Sequence, residues 1–372
     1  MRITVLSSTP LNPLEGSGTF VGIAGLAQGL AQLGHQVTVR PLGRRTGFHT
    51  LDRWLYNAAV ALRPPRHTDL VLGVDLDGFL WARRRSLPFV ASLKGIIADE
   101  LRNERGWVRA LLTVQARWER RNVNRADLVM VTSRYCADVA QRAYGVPPER
   151  IAVVPEPIDL EVWDDQFWRA ARRPRASPPA NPPASAIVLC VARMYPRKRV
   201  ADLLRATAIM RGRVPGIQVR IVGRGPEWPA VSRLHTELGL GDSVTLLGDV
   251  GRERLAEEYV NATVFCLPSL QEGFGIVFLE AMAAELPVVA CRVAAIPEVV
   301  QDGVTGLLVP PRDPAALAAE IERLIADPEL ARRLGREGRR RVLAFTPRHV
   351  AERFVSAVHS SKDRLGQQAR GG

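Results

Sequence analysis

A proline-dense segment in mid-chain, ARRPRASPPANPPASA at residues 171–186, separates two stretches that each alternate short β-rich apolar runs with amphipathic ones. With no apolar periodicity and with repeated loss of the backbone N–H donor, such a segment forms neither regular element. It reads as an interdomain linker. Alternating strands and helices predict parallel sheets built from βαβ units. Strands are expected at Ile3 to Leu6, Val37 to Arg40, Leu70 to Leu72, Phe89 to Ser92, Leu128 to Val131 and Ile151 to Val154, then again from AIVLCVAR at 186–193 onward. The later ones are Val219 to Val222, Val244 to Leu246, Thr263 to Leu267 and Val288 to Ala290. A chain of 372 residues exceeds one comfortable core. The expected division is a first Rossmann-like domain at 1–170, the linker at 171–186, and a second Rossmann-like domain at 187–345. A last amphipathic helix, TPRHVAERFVSAVHS, and a tail occupy 346–372.

Composition narrows the class. Hydrophobic residues make up 47% and charged residues 24%, which fits a folded globular chain. No 18-residue apolar run exists, and RITVLSS near the start reads as a strand rather than as a leader peptide. A cytoplasmic chain without a membrane anchor is expected. The four cysteines form no C-x-x-C pair or metal-spaced cluster, so neither a disulfide framework nor a zinc site is indicated. The net charge of +13 is carried almost wholly by arginine, and residues 81–125 hold eleven basic groups against four acidic ones. Within them, GWVRALLTVQARWERR spaces Trp107, Leu111, Val114 and Trp118 at helical intervals with arginines between. That pattern suits a peripheral contact with anionic lipid at the inner face of a cell membrane, or an anionic glycan. A core helix with a solvated arginine face shares it. A nucleic-acid-binding protein would also use the charge, but no nucleic-acid module is recognisable, and that reading is set aside.

The densest chemical signal is EGFGIVFLE, Glu272 to Glu280. Two carboxylates bracket a glycine turn that enters an apolar helix, directly after the strand-like ATVFCLPS. Gly273 and Gly275 let backbone amides approach a ligand, and the helix start offers unpaired N–H groups to an anion. Glu280 follows Glu272 by about two helical turns, so both acids can face one cleft and accept hydrogen bonds from sugar hydroxyls. A solvated helix cap has the same spacing, yet the position at the carboxyl end of a strand is where open α/β sheets bind ligands. Arg193 ends another strand, and Lys198 follows in ARMYPRKRV.

These pieces, in order, resemble the family 4 glycosyltransferases, retaining enzymes of the GT-B fold. PSLQEGFGIVFLEAMAAELPVVA and IPEVVQDGVTGLLVPPRDPAALA are similar to that family's C-terminal signature, and MRITVLSS with GSGTFVGIAGLAQGLAQLGHQVTV to its opening. The resemblance implies two Rossmann-like domains with parallel sheets facing across a cleft, the first for the acceptor and the second for a nucleotide diphosphate sugar, with the last helix crossing back to the first domain. It implies that Glu272 contacts the donor sugar near the reacting centre, that Glu280 holds the ribose, and that Arg193 and Lys198 contact the diphosphate without a metal. Gly273, Phe274 and Gly275 would present amides to the sugar and diphosphate. Gly223 and Gly225 in GRGPE would line the donor site, with Val250 at its base-binding edge. Gly16, Ser17, Gly18 and Thr19 would form a loop between the first strand and first helix for a phosphate or the acceptor. The donor is a substrate, so no separate cofactor is implied. The acceptor would be a cell-envelope or exopolysaccharide glycan, or a lipid-linked intermediate. A nucleotide-sugar epimerase of the same shape is the alternative, but it needs acid and base groups that no histidine here evidently supplies.

Some positions depart from the family. SLKG places Lys94 where histidine is usual, and a contact of Lys94 with an anionic acceptor or with the leaving diphosphate is expected. Arg199 and Glu285 stand where glycine is common, Arg199 as a further phosphate cation. Ala294-Ala295 replaces Gly-Gly in a loop expected to need no positive φ. Asp75 and Asp77 form a D-x-D, which in GT-A enzymes marks a manganese site but here lies in the acceptor half.

Overall fold

The structure, a computed structural model, describes residues 1–9, 13–43, 45–172 and 186–371. It divides into two units, Met1–Ile158 with Ala344–Gly372, and Asp159–Leu343. The proline-rich segment expected as a linker lies, at 173–185, outside the described residues.

Unit 1 runs β1 (Arg2–Ser7), α1 (Pro13–Gln32), β2 (Gln36–Pro41), α2 (His49–Leu62), β3 (Leu70–Val74), β4 (Phe89–Leu93), α3 (Ile97–Glu100), α4 (Gly106–Arg125), β5 (Leu128–Val131), α5 (Arg134–Tyr144) and β6 (Ile151–Val153). Unit 2 runs α6 (Leu160–Arg172), β7 (Ile187–Val191), α7 (Val200–Met210), β8 (Gln218–Val222), α8 (Trp228–Glu237), β9 (Val244–Gly248), α9 (Arg252–Asn261), β10 (Val264–Leu267), α10 (Ile276–Ala283), β11 (Val288–Cys291), α11 (Ile296–Val299), β12 (Gly306–Val309), α12 (Pro314–Ala326) and α13 (Pro328–Val342). The chain then returns to unit 1 as α14 (Pro347–Gly371).

Each unit holds a six-stranded, wholly parallel sheet, ordered β2-β1-β3-β4-β5-β6 and β12-β11-β10-β7-β8-β9. Strands such as β5 and β10 are buried along their whole length, as helices on both faces of a parallel sheet require, and this is why they read as unbroken apolar runs. In unit 1, Ile23, Leu26 and Leu30 of α1 share a core cluster with Val350, Phe354 and Val358 of α14. The strand order reverses direction between β1 and β3 in unit 1, and between β7 and β10 in unit 2. Such switch points leave a crevice at the carboxyl ends of the strands.

Three expectations change. Residues 159–170 were expected in the first domain, but α6 belongs to unit 2, because its apolar stripe finds aromatic partners there. Trp163 stacks on Phe167 at 5.2 Å and meets Tyr259 of α9 edge-on at 5.6 Å. Proline composition marked the linker segment, whereas packing sets the unit boundary, before α6. Second, α1 begins at Pro13, so Gly16, Ser17, Gly18 and Thr19 lie within a helix rather than in a loop ahead of it. Proline suits the first helical turn, where its missing N–H costs nothing. Third, the short strand β12 was not anticipated. Gly306 opens it because a Cβ there would sit 2.5 Å from the Val288 carbonyl oxygen of the neighbouring strand.

Candidate active site

The crevice of unit 2 is assembled by the loops that follow β7, β8, β9, β10 and β11. After β7, a short 3-10 turn, Pro196–Lys198, delivers Lys198. After β10, the Leu270 N–H donates to the Arg197 carbonyl at 2.8 Å, joining the two loops across the switch point. Glu272 is thereby placed so that its Oε1 lies 2.6 Å from Lys198 Nζ, and the Ser269 hydroxyl donates to the same oxygen at 2.7 Å. The Lys198 and Glu272 side chains are only 14% and 8% exposed, so their ion pair is shielded from water. Ser269 carried no sequence signal beyond being a turn residue after a strand. Arg193 stands half-buried at the end of β7, its carbonyl accepting from the Tyr195 N–H at 2.7 Å.

The glycines of GRGPE are there for close approach. Gly223 has φ +107, and a Cβ on it would lie 2.1 Å from the Ala192 carbonyl oxygen; on Gly225 it would meet the Met194 backbone at 2.7 Å. The Met194 N–H donates to the Arg224 carbonyl, the Gly223 N–H to the Gly248 carbonyl, and the Arg224 N–H to Asp249 Oδ1. The loop reaching half-buried Val250 is thus tied to the loop carrying Arg193. Gly275, at φ +95, caps α10 where a side chain would strike the ring of Phe278 at 2.6 Å. Gly273 and Phe274 precede it, Phe274 buried.

Glu272 and Glu280 occupy different surroundings. Where Glu272 meets a cation, Glu280 Oε2 accepts from the hydroxyl of Tyr259 at 2.8 Å, and the Tyr259 ring stacks on Phe265. Burial raises Glu280 to about 7, against a smaller downward pull from the Tyr259 bond and the charge of Arg252. Arg199 is also not placed as a phosphate cation. Its guanidinium makes a bidentate pair with Asp202 on the first turn of α7, at 2.8 and 2.7 Å. Its backbone is left-handed, φ +53, and so are those of Glu285 (φ +57) and Ala294 (φ +53). The Ala294-Ala295 loop therefore does need a positive φ, contrary to expectation. All three residues hold a conformation that glycine adopts without strain.

In unit 1 the loops after β1, β3, β4 and β6 carry a second polar cluster. Lys94 Nζ pairs with both oxygens of Glu156, at 2.9 and 3.0 Å, and the Lys94 N–H donates to Asp75 Oδ1 at 3.0 Å. Burial raises Glu156 above the usual carboxylate range, an effect the Lys94 charge partly offsets. The lysine that replaces a histidine thus has a carboxylate partner, which the sequence reading missed. The available signal was an acid between two prolines directly after a predicted strand. Asp75 Oδ2 lies 3.4 Å from Arg53 Nη2. Asp77 is fully buried, accepts from the Ser8 N–H, the Ser8 hydroxyl and the Asn57 amide, and is raised by burial to about 6. The D-x-D pair is spent on this network, and no group of three His, Cys, Asp or Glu among the described residues could hold a metal.

Two family profiles match the chain. The profile described as "Glycosyltransferase Family 4" matches residues 16–162, and that described as "Glycosyl transferases group 1" matches residues 175–341. A D-inositol 3-phosphate glycosyltransferase of Streptomyces bingchenggensis is 36% identical over 264 residues, covering 68% of this chain; the chain spans only 55% of that relative's length. An MMP alpha-(1->4)-mannosyltransferase of Mycolicibacterium hassiacum is 28% identical over 429 residues, covering 98% of this chain and 99% of the relative. Among solved structures, a sucrose-phosphate synthase from Thermosynechococcus elongatus shares the fold with a TM-score of 0.77 at 24% identity, covering 99% of this chain and 98% of that one. Two parallel sheets on this plan, with both profiles matched in order, make the chain a member of glycosyltransferase family 4, of the GT-B fold.

Proposed function

We propose that the chain is a retaining, metal-independent hexosyltransferase that moves a sugar from a UDP- or GDP-sugar to a hydroxyl of a cell-envelope or exopolysaccharide glycan, or of a lipid-linked intermediate. The observation that carries this reading is the 2.6 Å contact between Lys198 and Glu272 at the switch point of unit 2. One carboxylate and one ammonium there match the two demands of the donor, hydroxyls to be held and a diphosphate to be neutralised.

In this reading the bond between the anomeric carbon and the diphosphate breaks, and its electron pair leaves on the diphosphate. Lys198 and Arg193 meet that charge, each charge-assisted hydrogen bond contributing about 1.5–3 kcal/mol. Both bonds that the Glu272 carboxylate makes end on Oε1, so Oε2 is the oxygen that takes a sugar hydroxyl. The acceptor oxygen attacks the face that the diphosphate leaves, and its proton passes to a diphosphate oxygen. Glu280, raised towards neutrality, holds the ribose, and the amides of Gly273, Phe274 and Gly275 face the sugar and diphosphate. The relatives named above act on an inositol phosphate and in mannosyl transfer, so a polyol or sugar hydroxyl and a mannosyl donor come first in any panel.

The test is a thermal-shift panel of UDP- and GDP-sugars on the full chain, followed by donor hydrolysis and transfer with the strongest binder. A stabilising nucleotide sugar whose turnover is lost in Glu272→Ala is the expected result. If none binds, the reading fails.

A further inference from the structure

We propose that helices α2 and α4 of unit 1 seat the chain on the surface of an anionic lipid bilayer. This stands apart from the transfer chemistry, which it neither needs nor supports.

Helix α2 is turned partly inside out. An ordinary surface helix points its apolar stripe inward and its polar face to water. Here Asp52, Arg53 and Asn57 are buried alongside the core residues Tyr56 and Val60, while Leu51, Trp54 and Leu55 are 46%, 42% and 42% exposed and Leu62 is 83% exposed. Phe48, at the helix N-cap, is 73% exposed. The buried polar groups have work there: Arg53 bonds Ser8 and Gln115, and Asn57 bonds Asp77. Polar demand from the interior has pushed the apolar side chains outward.

Helix α4 repeats the inversion. Gln115, Glu119 and Asn122 are buried with Ala116 and Val123, while Trp107, Val108 and Val114 are 74%, 51% and 37% exposed. Gln115 Nε2 donates to Thr50 Oγ1 at 2.7 Å and Arg53 Nη1 to Gln115 Oε1 at 3.1 Å. Gln115 thereby ties α4 to α2. Among the described residues, most of the large apolar side chains that stand exposed lie on these two helices and the α2 cap, a concentration beyond ordinary scatter.

Charge selects the occupant. The only carboxylates of the two helices, Asp52 and Glu119, are both buried, whereas Arg109, Arg117, Arg120 and Arg121 of α4 are exposed. A face of exposed tryptophan, leucine and arginine with no exposed acid matches the headgroup region of an anionic membrane, where indole rings and arginines settle. A second copy would set these arginines against one another. No described helix is long and apolar enough to cross a membrane.

The test is co-sedimentation of the full chain with vesicles of phosphatidylcholine alone and of phosphatidylcholine with phosphatidylglycerol. Partitioning to the anionic vesicles is expected, weakened by salt, and lowered about tenfold or more in the Trp54→Ala/Trp107→Ala variant. Arg109→Gln and Arg117→Gln should each cost about fivefold; they leave the apolar face intact and cover the case in which the tryptophan variant does not fold. Equal binding to both vesicle types, no binding, or unchanged binding by all variants overturns the proposal. So does a dimer, by light scattering, that the tryptophan variant splits, for then the face belongs to a second copy.

Discussion

Lys94 Nζ stands 2.9 Å from the Glu156 carboxylate, and α1 passes so close that a Cβ on Gly22 would lie 1.9 Å from Glu156 Oε2. The two side chains are 11% and 4% exposed. Removing either partner strands a buried charge, so Lys94→Ala and Glu156→Ala are each expected to cost about 3–5 kcal/mol of stability. Lys94→Met/Glu156→Leu should cost less than either single change. Denaturant titration of the three variants checks this, and additive losses would refute it. Should the double variant hydrolyse donor normally yet transfer poorly, the pair serves the acceptor.

At the other crevice, Glu272→Ala and Lys198→Ala are each expected to lower turnover about a hundredfold or more. Together they should cost less than the product of the two single losses, because besides its own contact with the donor each residue holds the other in place. Ser269→Ala removes only a supporting bond and should cost about tenfold or less. Initial rates at saturating and limiting donor separate these effects. A Lys198→Ala enzyme with wild-type turnover would end the proposed role in leaving-group stabilisation.

Three of the left-handed residues, Arg199, Glu285 and Ala294, give a stability ladder. Ala294→Gly and Glu285→Gly relieve backbone strain, each with an expected gain of about 1 kcal/mol. Arg199→Gly relieves the same strain but breaks the bidentate pair with buried Asp202, so it should gain nothing or lose. Thermal melting ranks the variants, and a stabilised Arg199→Gly would contradict the assignment.

Burial raises Glu119 to about 8, helped by the charge of Asp75 and opposed by bonds from Tyr144 and the Ile97 amide. The folded chain therefore holds this proton more tightly than the unfolded chain, in which a glutamate releases it near 4.5. The stabilisation is full below that value, declines as pH rises through it, and is gone above about pH 8. Glu119→Gln should flatten the melting temperature between about pH 5 and about pH 8. An unchanged slope would show that other groups set it.

What the sequence makes legible here is local. Buried parallel strands such as Leu128–Val131 announce themselves as apolar runs, and the glycine turn of EGFGIVFLE needs no partner to be seen. Glu156 escaped because its partner Lys94 is 62 residues away, and Ser269 because a serine after a strand looks like turn chemistry. The start of α1 was misread since glycines at 16 and 18 signal a loop more strongly than they signal a helix. The backbone at Ala294 was misjudged because a small residue reports size and not φ. On α2, the inversion of polarity is invisible until the interior polar network is known.

The return of the chain into unit 1 also bears on how the protein is made. Unit 2 is one continuous stretch and has its whole core once residue 343 has left the ribosome. Unit 1, whose strands are all synthesised before unit 2, lacks Val350, Phe354 and Val358 until unit 2 has been made. Its nascent form must wait with the apolar face of α1 uncovered, so the half of the chain that is born first is completed last.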